Sequence, residues 1–582
     1  MSPWWERHPE VFDAEMRALS ALGCSWEIDQ AAFEKGRLLV RVQVPYERES
    51  LDLEAHYPGS YPYFQPQVRL LNRRLNRHQN PLQKHLCLLA REGEEWCPGI
   101  ETLGQLLQQQ LPTLLALQDD GASPEFVAEY EDHAAEPLSS YLPYLPGSAI
   151  AVPDQTPAKE IKAGRLRLQI RPTQGAHDDN QPPVVGMVES VDDISRNALV
   201  GLSIRPAMFT KLVEGFWFRL EKRPSWTDEK DLRLALVGEM KERHPEFRKA
   251  LISGKKGQSM IAGFVYSDET SWHGSGDDWF FLKIEFTVSK KGSREAQSKI
   301  SYVRADWAGE DSWLRRAPTL RPLREKSVLL IGLGSLGSTV ALQLAKAGIR
   351  VLHLIDCDIF QIGNSIRWAR GWTSFAQSKS EILHHAIQAD YPYTEVHRYD
   401  IRIGVPLFSD DGLSDYDFVR ARCENVDLVI DATASHRVSH FVADLCQEIG
   451  KPFLWLTTTH GAAGGVVGRI IPGTTAGCWH CVQRGLGDGS IKLPADSGAP
   501  EIEPGGCSQP TFIGAGVDSD EIALTATRLA IATLCRNDAD RYADFKWDVA
   551  VADLQRDGYS VAPEWTVYAG DKHPDCEPCN HS

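Results

Sequence analysis

The spacing of apolar positions changes along the chain and divides it into four regions. Residues 1–122 combine a helical start, an alternating strand pattern in "GRLLVRVQVPY" and a helix pattern in "ETLGQLLQQQLPTLLAL", which predicts an α+β domain. Residues 123–160 are rich in proline and predict a linker. Residues 161–315 carry short alternating runs such as "DDWFFLKIEFTV" and predict a strand-rich middle domain. Strand and helix patterns alternate in residues 316–582, which predicts a doubly wound α/β sheet.

Composition limits the kind of protein this is. A chain of 582 residues is too long for one core, and 42% hydrophobic with 24% charged residues is typical of soluble globular domains. The net charge of −17 argues against general binding to nucleic acid or an anionic membrane. No long apolar run or secretory signal pattern is present, so we expect a cytoplasmic protein. Twelve cysteines are too few for a disulfide scaffold in so long a chain.

A glycine-rich turn opens the α/β region. In "KSVLLIGLGSLGSTVALQLAKAGIRVLHLIDCD", an apolar strand leads into Gly332, Gly334 and Gly337, and a second strand ends at Asp356. Glycines let the backbone approach a phosphate, and a following helix offers free N–H groups to an anion. The segment predicts a bound nucleotide. Because Asp356 also has the spacing of a ribose-binding acid, this segment alone leaves an NAD-dependent oxidoreductase open.

The residues that follow favour ATP. "DCDIFQIGNSIRWARGWTSFAQSKSE" supplies Asp356, Asp358, Asn364, Arg367 and Lys379, and in this pattern the chain resembles the ubiquitin-activating and ThiF/MoeB family of adenylating enzymes. The resemblance implies ATP and Mg²⁺, with a carboxylate attacking the α-phosphorus. The two cations suit the spreading phosphate charge, and Asp356 suits ribose or magnesium. The competing interpretation is that the two cations are ordinary solvated residues.

Two positions depart from the family pattern. The family has Asp-x-x-Asp after its fourth strand, whereas "LVIDATASHR" offers Asp431 and then Ala434. The family's glutamine after the arginine is replaced by Trp368. We therefore expect Asp431 to hold magnesium without a second acid beside it.

Four cysteines form two Cys-x-x-Cys pairs in this region. "GCWHC" contains Cys478 and Cys481, and "DCEPC" contains Cys576 and Cys579. Two such pairs predict a closed tetrahedral Zn²⁺ site with a structural role. A redox pair is the alternative, and it is disfavoured because we expect neither pair to open a helix after a strand. The family resemblance also implies these knuckles.

A further cysteine, Cys507, lies in a glycine-rich loop before an apolar helix, in "EPGGCSQPTFIGAGVDSDEIALTATRLAIATL". The family resemblance implies a thioester or acyl-persulfide cysteine in a loop of this type. A mobile thiol there could displace AMP from an acyl-adenylate and retain the acyl group. The alternative is a buried structural cysteine.

The front region resembles the core of a ubiquitin-conjugating enzyme. The matching elements are Tyr57-Pro58, Tyr61-Pro62, Pro66, Cys87-Leu88, Trp96 and Pro98, in that order. The resemblance implies that Cys87 is a nucleophile.

The family's His-Pro-Asn is replaced by His78-Gln79-Asn80 in this chain. His78, Asn80 or His85 is expected to assist Cys87 by donating to an oxyanion. Cys97 is expected to pack beside Trp96.

Together these segments resemble bacterial fusions of a conjugating-like domain with an activating domain, known from CBASS antiphage operons. The resemblance implies that a protein C-terminus is adenylated, passed to Cys507, moved to Cys87 and given to an amine of a target protein. The implied acyl donor is a cGAS/DncV-like nucleotidyltransferase, with a bacterial ubiquitin-like protein as the alternative. The middle region is then an inactive adenylation-like half or a spacer. The family implies a homodimer in which Arg315 or Arg316 enters the partner's site.

Three other classes of protein remain open. A sulfur-carrier adenylyltransferase would use the region from residue 316 onward but leave Cys87 idle. A dinucleotide oxidoreductase would leave Arg367, Lys379 and the cysteine pairs without a role. A catalytically inactive scaffold would account for the departures at Trp368 and Ala434 but form no AMP.

Overall fold

The computed structural model describes residues 2–580 with interruptions, and it forms two compact units. The ranges outside the description are 76, 90–94, 119–122, 132–134, 173–181, 205, 225–228, 256, 272–273, 289–296, 406–413 and 503–512. The first unit contains residues 1–201 and 211–306, and the second contains residues 202–210 and 307–582. In the ranges that are described, no helix has the length and apolar character needed to cross a membrane.

The first unit begins with a four-stranded antiparallel sheet in the order β1-β2-β3-β4. Its strands are β1 Ser25–Ile28, β2 Leu39–Tyr46, β3 Glu49–His56 and β4 Gln67–Leu70. The helices of this part are α1 Trp4–Arg7, α2 Pro9–Ala21, α3 Gln30–Phe33, α4 Leu103–Ala116 and α5 Pro124–Tyr130. Alternate residues of β2 are buried, as the sequence pattern predicts, and a capping box between Thr102 and Gln105 starts α4. The predicted α+β arrangement is confirmed.

Glu15 links three parts of this front domain. It lies on α2, is fully buried, and accepts hydrogen bonds from the hydroxyls of Tyr57 and Tyr61 and from the backbone N–H of Leu103 at 2.8 Å. Burial raises the pKa of the Glu15 carboxyl, against the hydrogen bonds that lower it. Nearby, the Trp96 indole donates to the Pro62 carbonyl at 2.8 Å. Polar contacts thus fix the Tyr-Pro segments against two helices.

The rest of the first unit is an eight-stranded sheet in the order β5-β12-β11-β10-β9-β6-β7-β8, in which β5 also pairs with β7. Its strands are β5 Tyr144–Val152, β6 Ala163–Ile170, β7 Val185–Asp193, β8 Ala198–Val200, β9 Lys211–Arg219, β10 Ser259–Ser271, β11 Gly274–Val288 and β12 Gln297–Trp307. Helices α6 Glu229–Arg243 and α7 Pro245–Ser253 connect the parallel pair β9 and β10. Residues 123–160, expected as a linker, contain α5 and supply β5 to this sheet.

The second unit is the expected doubly wound sheet, in the order β15-β14-β13-β16-β17-β18-β19-β20. Its strands are β13 Ser327–Ile331, β14 Val351–Ile355, β15 Glu395–Tyr399, β16 Leu428–Asp431, β17 Phe453–Thr458, β18 Gly464–Ile470, β19 Val549–Arg556 and β20 Tyr559–Tyr568. Strands β13 to β17 are parallel, and the pairs from β17 to β20 are antiparallel.

Helices cover both faces of this sheet. They are α8 Glu310–Trp313, α9 Ser335–Lys346, α10 Lys379–Asp390, α11 Asp415–Glu424, α12 His436–Glu448, α13 Trp479–Asp488, α14 Gly516–Cys535 and α15 Glu577–Asn580. Helices α9, α10 and α14 pack on one face, and α11, α12 and α13 pack on the other. The chain order reverses between β13 and β16, so their carboxyl ends flank a crevice of the kind that binds nucleotides in such sheets.

We predict that Glu15→Ala lowers the free energy of unfolding of the front domain by about 3 kcal/mol, because it leaves two tyrosine hydroxyls and one N–H buried without an acceptor. Native-state hydrogen exchange of β2 and β3 in the full chain measures this value. The control is Asp13→Ala, an exposed position on the same helix. Equal protection in the two variants would contradict the assignment of Glu15 as a structural hub.

Candidate nucleotide, metal and thiol sites

The glycine turn after β13 has the close approaches that its sequence predicts. Gly332 has φ +85°. A Cβ atom on Gly337 would lie 1.9 Å from the Gly332 carbonyl oxygen, so α9 packs directly on the turn. A Cβ atom on Gly334 would meet nothing within 4 Å. Two of the glycines are therefore required by the fold, whereas Gly334 faces open space at the start of α9.

Asp356 holds the turn from the end of the neighbouring strand β14. One of its carboxylate oxygens accepts from the Leu333 N–H at 2.6 Å, and the other accepts from the Asp358 N–H at 2.7 Å. Burial raises the pKa of this carboxyl, while Lys379 acts in the opposite direction. The Lys379 ammonium lies 2.8 Å from an Asp358 oxygen. The side chain of Asp358 is 62% exposed and that of Lys379 only 10%, so the ion pair lies at the surface of the crevice.

Arg367 lies on the loop between β14 and α10, half-buried beside the same turn. The hydroxyl of Ser335, the first residue of α9, donates to the Arg367 carbonyl at 2.8 Å. A Cβ atom on Gly516 would lie 2.9 Å from the Ile366 carbonyl oxygen, so the start of α14 packs against this loop. Burial lowers the pKa of the Arg367 guanidinium. Asn364 accepts from the Gln361 N–H at 2.9 Å and shapes the loop before Arg367.

Trp368 has a structural role in place of the family's glutamine. Its ring is 6% exposed and its indole N–H donates to the Leu333 carbonyl at 2.6 Å. The buried tryptophan therefore holds the glycine turn through a hydrogen bond to its backbone.

Asp431 ends β16 and is only 1% exposed. One carboxylate oxygen accepts from the backbone N–H and the hydroxyl of Thr433, and the other accepts from the Ser439 hydroxyl at 2.5 Å. Burial raises the pKa of this carboxyl. Ala434, at the position of the family's second acid, has φ +54°. These hydrogen bonds engage both Asp431 oxygens in shaping the turn, and its role as a magnesium ligand stays a prediction.

Two groups within the described ranges bring possible metal ligands together, each with ligand atoms within 4.8 Å of one another. The first comprises Asp356, Cys357 and Asp358 at the crevice, and the second comprises Cys478, Cys481, Cys576 and Cys579. In the second group, three sulfur–sulfur distances are 3.9, 3.7 and 3.6 Å. Tetrahedral zinc with Zn–S bonds of about 2.3 Å places sulfurs about 3.8 Å apart. The four thiols fit that ion.

The surroundings of the cysteine cluster differ from expectation in one respect. Cys478 is the N-cap of α13 and Cys481 lies in its first turn, so this pair does open a helix. The clustering of all four sulfurs, and not their position on the chain, distinguishes the group from a redox pair. The neighbouring histidines bond carboxylates instead: His480 lies 2.8 Å from Asp444 and His573 lies 2.8 Å from Asp488.

Of the two predicted acyl-accepting thiols, Cys507 lies outside the described residues and Cys87 is half-buried in the front domain. The Cys87 N–H donates to the His78 carbonyl at 2.8 Å. Cys97, expected to pack beside Trp96, is exposed.

Two of the three residues expected to assist Cys87 have side-chain contacts elsewhere. The amide oxygen of Asn80 accepts from the N–H groups of Leu82 and Gln83, both at 2.9 Å. The His78 ring lies 3.0 Å from a Glu131 oxygen. His85 is half-buried, and burial lowers its pKa.

Sequence reasoning missed the acidic residues around His78. The Glu136 carboxylate accepts from the His78 N–H at 2.7 Å, and Arg77 lies between Glu131 and Glu269. These residues come from the range expected as a linker and from β10. No local pattern signals them, because the contacts join parts of the chain far apart in sequence.

Comparison with known proteins identifies the second unit. Residues 310–531 match the model of the ThiF family. The chain therefore contains a ThiF-family domain, which relates it to the E1-like adenylyltransferases, a family of enzymes. This confirms the resemblance of the α/β region and covers less than half of the chain. The conjugating-like character of the front domain stays a prediction.

Some relatives match over nearly the whole chain, and others match over less than a third of it. Uncharacterized protein y4oA of Sinorhizobium fredii (strain NBRC 101917 / NGR234) is 28% identical over 594 residues, covering 98% of this chain and 97% of that protein. Ubiquitin-like modifier-activating enzyme 5 of Dictyostelium discoideum is 27% identical over 170 residues, 28% of this chain and 42% of that enzyme. ATP-dependent ubiquitin transferase-like protein Cap2 of Enterobacter hormaechei subsp. hoffmannii (strain UCI 50) is 28% identical over 170 residues, 29% of this chain and 27% of Cap2. The similarity to y4oA thus extends over the whole chain, whereas the two enzymes are similar over part of their length.

We predict that Gly337→Ala lowers the melting temperature of the second unit by several degrees, because the new methyl group displaces the Gly332 carbonyl. Gly334→Ala is the matched control: its methyl group enters open space, so the melting temperature should stay near that of the parent chain. Differential scanning calorimetry of the full chain measures both. Equal melting temperatures for the two variants would show that the turn does not have this packing.

Proposed function

We propose that the second unit adenylates the C-terminal carboxylate of another protein with ATP and Mg²⁺. The observation that carries this proposal is the convergence, at one edge of the sheet of a ThiF-family domain, of an open glycine turn, a carboxylate and two cations. The carboxylate attacks the α-phosphorus, the bond from that phosphorus to the bridging oxygen of the β-phosphate breaks, and pyrophosphate leaves. This reaction transfers no hydride, unlike that of an NAD-dependent oxidoreductase, and it gives both Arg367 and Lys379 a role.

The residues around the crevice divide this work. The turn at Gly334 and the N–H groups opening α9 bind the phosphates, and Arg367 and Lys379 stabilise negative charge that spreads at the α-phosphorus. Asp356 and Asp358 have possible ligand atoms within 4.8 Å of one another and would hold magnesium at the crevice, with Asp431 as the further predicted ligand. A magnesium ion bound there would neutralise phosphate charge. Asp358 and Lys379 form an ion pair, which holds Lys379 at the crevice.

After adenylation, we propose that Cys507 displaces AMP and forms a thioester. Cys507 precedes α14 in the sequence, and the first residue of that helix lies against Arg367, which supports transfer near the adenylate. Cys87 then receives the acyl group and gives it to an amine of a target protein. The half-buried position of Cys87 in a domain with ordered Tyr-Pro, Trp and Pro elements supports this second transfer. The family also implies a homodimer with Arg315 or Arg316 at the partner's site.

The similarity to Cap2 supports an acyl donor of the CBASS type, a cGAS/DncV-like nucleotidyltransferase primed for antiviral defence. The similarity to activating enzyme 5 supports a ubiquitin-like donor as the alternative. A sulfur-carrier adenylyltransferase would share the crevice but leave Cys87 unloaded.

We also propose a structural zinc ion at the four cysteines. The ion would join α13 to the C-terminal segment that carries Cys576 and Cys579, far away in sequence.

Transfer of the acyl group from Cys507 to Cys87 predicts that the donor can be trapped as an adduct on the full chain produced in its source cells. Cys87→Ser should retain the donor as an oxyester at position 87, because an oxyester is less reactive toward amines than a thioester. Mass spectrometry of tryptic peptides should identify a C-terminal peptide of the donor at that position. Adding Arg367→Ala or Cys507→Ala should reduce the adduct at least tenfold, because the first weakens adenylation and the second removes the intermediate thiol.

Cys97→Ser, at an exposed position in the same domain, is the matched control and should carry no oxyester adduct at position 97. An adduct that persists at full level with Arg367→Ala would overturn the adenylation assignment. Donor bound at position 507 but never at position 87 would favour the sulfur-carrier alternative.

Zinc should be present at one ion per chain after purification without added metal. Cys576→Ser should lower this ratio and increase hydrogen exchange in α13, because one of four ligands is lost. Plasma mass spectrometry gives the metal content, and Cys97→Ser should retain the full amount. A parent chain without zinc would contradict the assignment.

A further inference from the structure

The start of helix α10 carries Lys379, one of the two cations at the crevice. The Lys379 ammonium lies 2.8 Å from a carboxylate oxygen of Asp358, and the Lys379 N–H donates to the Asp358 carbonyl at 3.0 Å. Lys379 is the first residue of α10, so the direction of its side chain depends on how the first turn of this helix is fixed. Two serines, Ser378 and Ser380, flank it in the sequence.

A carboxylate from the end of a strand bonds to both serines. Asp400 directly follows β15, which pairs with β14 at the edge of the sheet. Its Oδ1 atom accepts from the Ser378 hydroxyl at 2.5 Å and from the Ser380 hydroxyl. The two hydroxyl oxygens also lie 2.9 Å from each other. Each hydroxyl has one proton, and the charged carboxylate is the stronger acceptor, so both protons are directed to Asp400.

The second oxygen of Asp400 has a separate partner. Its Oδ2 atom accepts from the Arg398 guanidinium at 2.6 Å. The side chains of Arg398 and Asp400 are 37% and 45% exposed, whereas Ser380 is fully buried. Burial raises the pKa of the Asp400 carboxyl, but the hydrogen bonds from the two serines and the charge of Arg398 lower it by more. Asp400 is therefore an ionised side chain that reaches from the surface to the buried start of α10.

Asp400 and Asp356 occupy equivalent places at the ends of adjacent strands. The Asp356 N–H donates to the carbonyl of Tyr399, the residue before Asp400, at 3.2 Å. Asp356 holds the glycine turn through the Leu333 N–H, and Asp400 holds the start of α10 through two hydroxyls. One edge of the sheet thus fixes both the phosphate-binding turn and the helix that carries Lys379.

The ammonium and the backbone of Lys379 have different tasks when ATP binds. The ammonium must exchange the Asp358 carboxylate, which is 62% exposed, for a phosphate oxygen. If the first turn of α10 moved at the same time, part of the binding free energy would be spent on ordering it. Asp400 bonds to the residues on either side of Lys379, so it can keep this turn fixed while the ammonium changes its partner.

We propose that Asp400 is a positioning residue for Lys379, because it fixes the first turn of α10 in the place from which the Lys379 ammonium meets a phosphate of ATP. This inference rests on the proposed adenylation by the second unit. It adds a residue that lies outside the pattern from Gly332 to Lys379. The charge of Asp400 by itself repels a phosphate. A favourable effect of Asp400 on nucleotide binding must therefore come from geometry.

Calorimetric titration of the full chain with Mg²⁺ and the α,β-methylene analogue of ATP tests this role without an acyl donor. Lys379→Ala should weaken binding about tenfold, because a charge-assisted phosphate contact is lost. Asp400→Ala should weaken it about fivefold, although a negative charge has been removed. In a chain that already carries Lys379→Ala, Asp400→Ala should change the affinity by no more than about twofold, because the side chain that Asp400 positions is absent.

Three further variants separate the serine contacts from the rest of the side chain. Asp400→Asn keeps an oxygen that accepts from both hydroxyls, so it should bind the analogue within about twofold of the parent affinity. The double variant Ser378→Ala/Ser380→Ala keeps the charge and loses both bonds, so it should match the weakening of Asp400→Ala. Arg398→Ala is the matched control, because it removes only the contact of Oδ2. At physiological salt, which screens the lost surface charge, it should bind at the parent affinity.

Unchanged or tighter binding by Asp400→Ala would overturn the proposal. Equal weakening in the Lys379→Ala chain would also overturn it, because Asp400 would then act by a route that does not include Lys379. Parent affinity in the double serine variant would have the same consequence. A parent chain that does not bind the analogue at millimolar concentration would overturn the proposed adenylation itself. Tight binding that is insensitive to Asp400 would reject only the positioning role and leave adenylation standing.

Discussion

Buried carboxylates hold the loops of this protein in place, because each buried carboxylate needs hydrogen-bond donors from its surroundings. A carboxylate withdrawn from water is costly unless N–H or O–H groups replace the lost hydration. Glu15 receives two tyrosine hydroxyls and the first N–H of α4, and Asp356 receives two backbone N–H groups at the glycine turn. Asp431 and Asp268 follow the same rule. Glu15, Asp356 and Asp268 join segments that are distant in sequence, whereas Asp431 bonds to residues of the turn and helix that directly follow it.

The crevice of the second unit combines rigid and adjustable parts. The glycine turn is fixed from three sides by Asp356, by the Trp368 indole and by the close approach of α9. The Asp358–Lys379 pair lies at the edge, where water reaches the acid. A ligand with charged phosphates therefore meets a preformed backbone and an ion pair whose partners can be exchanged, which lowers the reorganisation needed on binding.

The sequence predicts what is encoded locally. The residues from Gly332 to Lys379 could be assigned to one site because a parallel sheet brings the ends of its strands to one edge. The four cysteines could be grouped because two Cys-x-x-Cys pairs are typical of a metal site. Strand β5 was missed because prolines interrupt its pattern. The sequence does not indicate that the Asp431 carboxylate accepts a hydrogen bond from Ser439, because Ser439 lies on the helix that follows. The contacts of Glu131 and Glu136 with His78 depend on the packing of segments that lie more than fifty residues apart in sequence.

The contacts of Glu131 and Glu136 with His78 show that the surroundings of Cys87 extend beyond the segment that resembles a conjugating enzyme. A polypeptide ending at residue 122 would contain every element of the conjugating-like pattern and its own apolar core. It would lack the two glutamates at His78 and would expose Leu82 to solvent. Such a fragment could fold and still have a different Cys87. An apolar core within residues 1–122 and the full set of contacts around Cys87 are therefore separate properties, and the second needs the first unit as a whole.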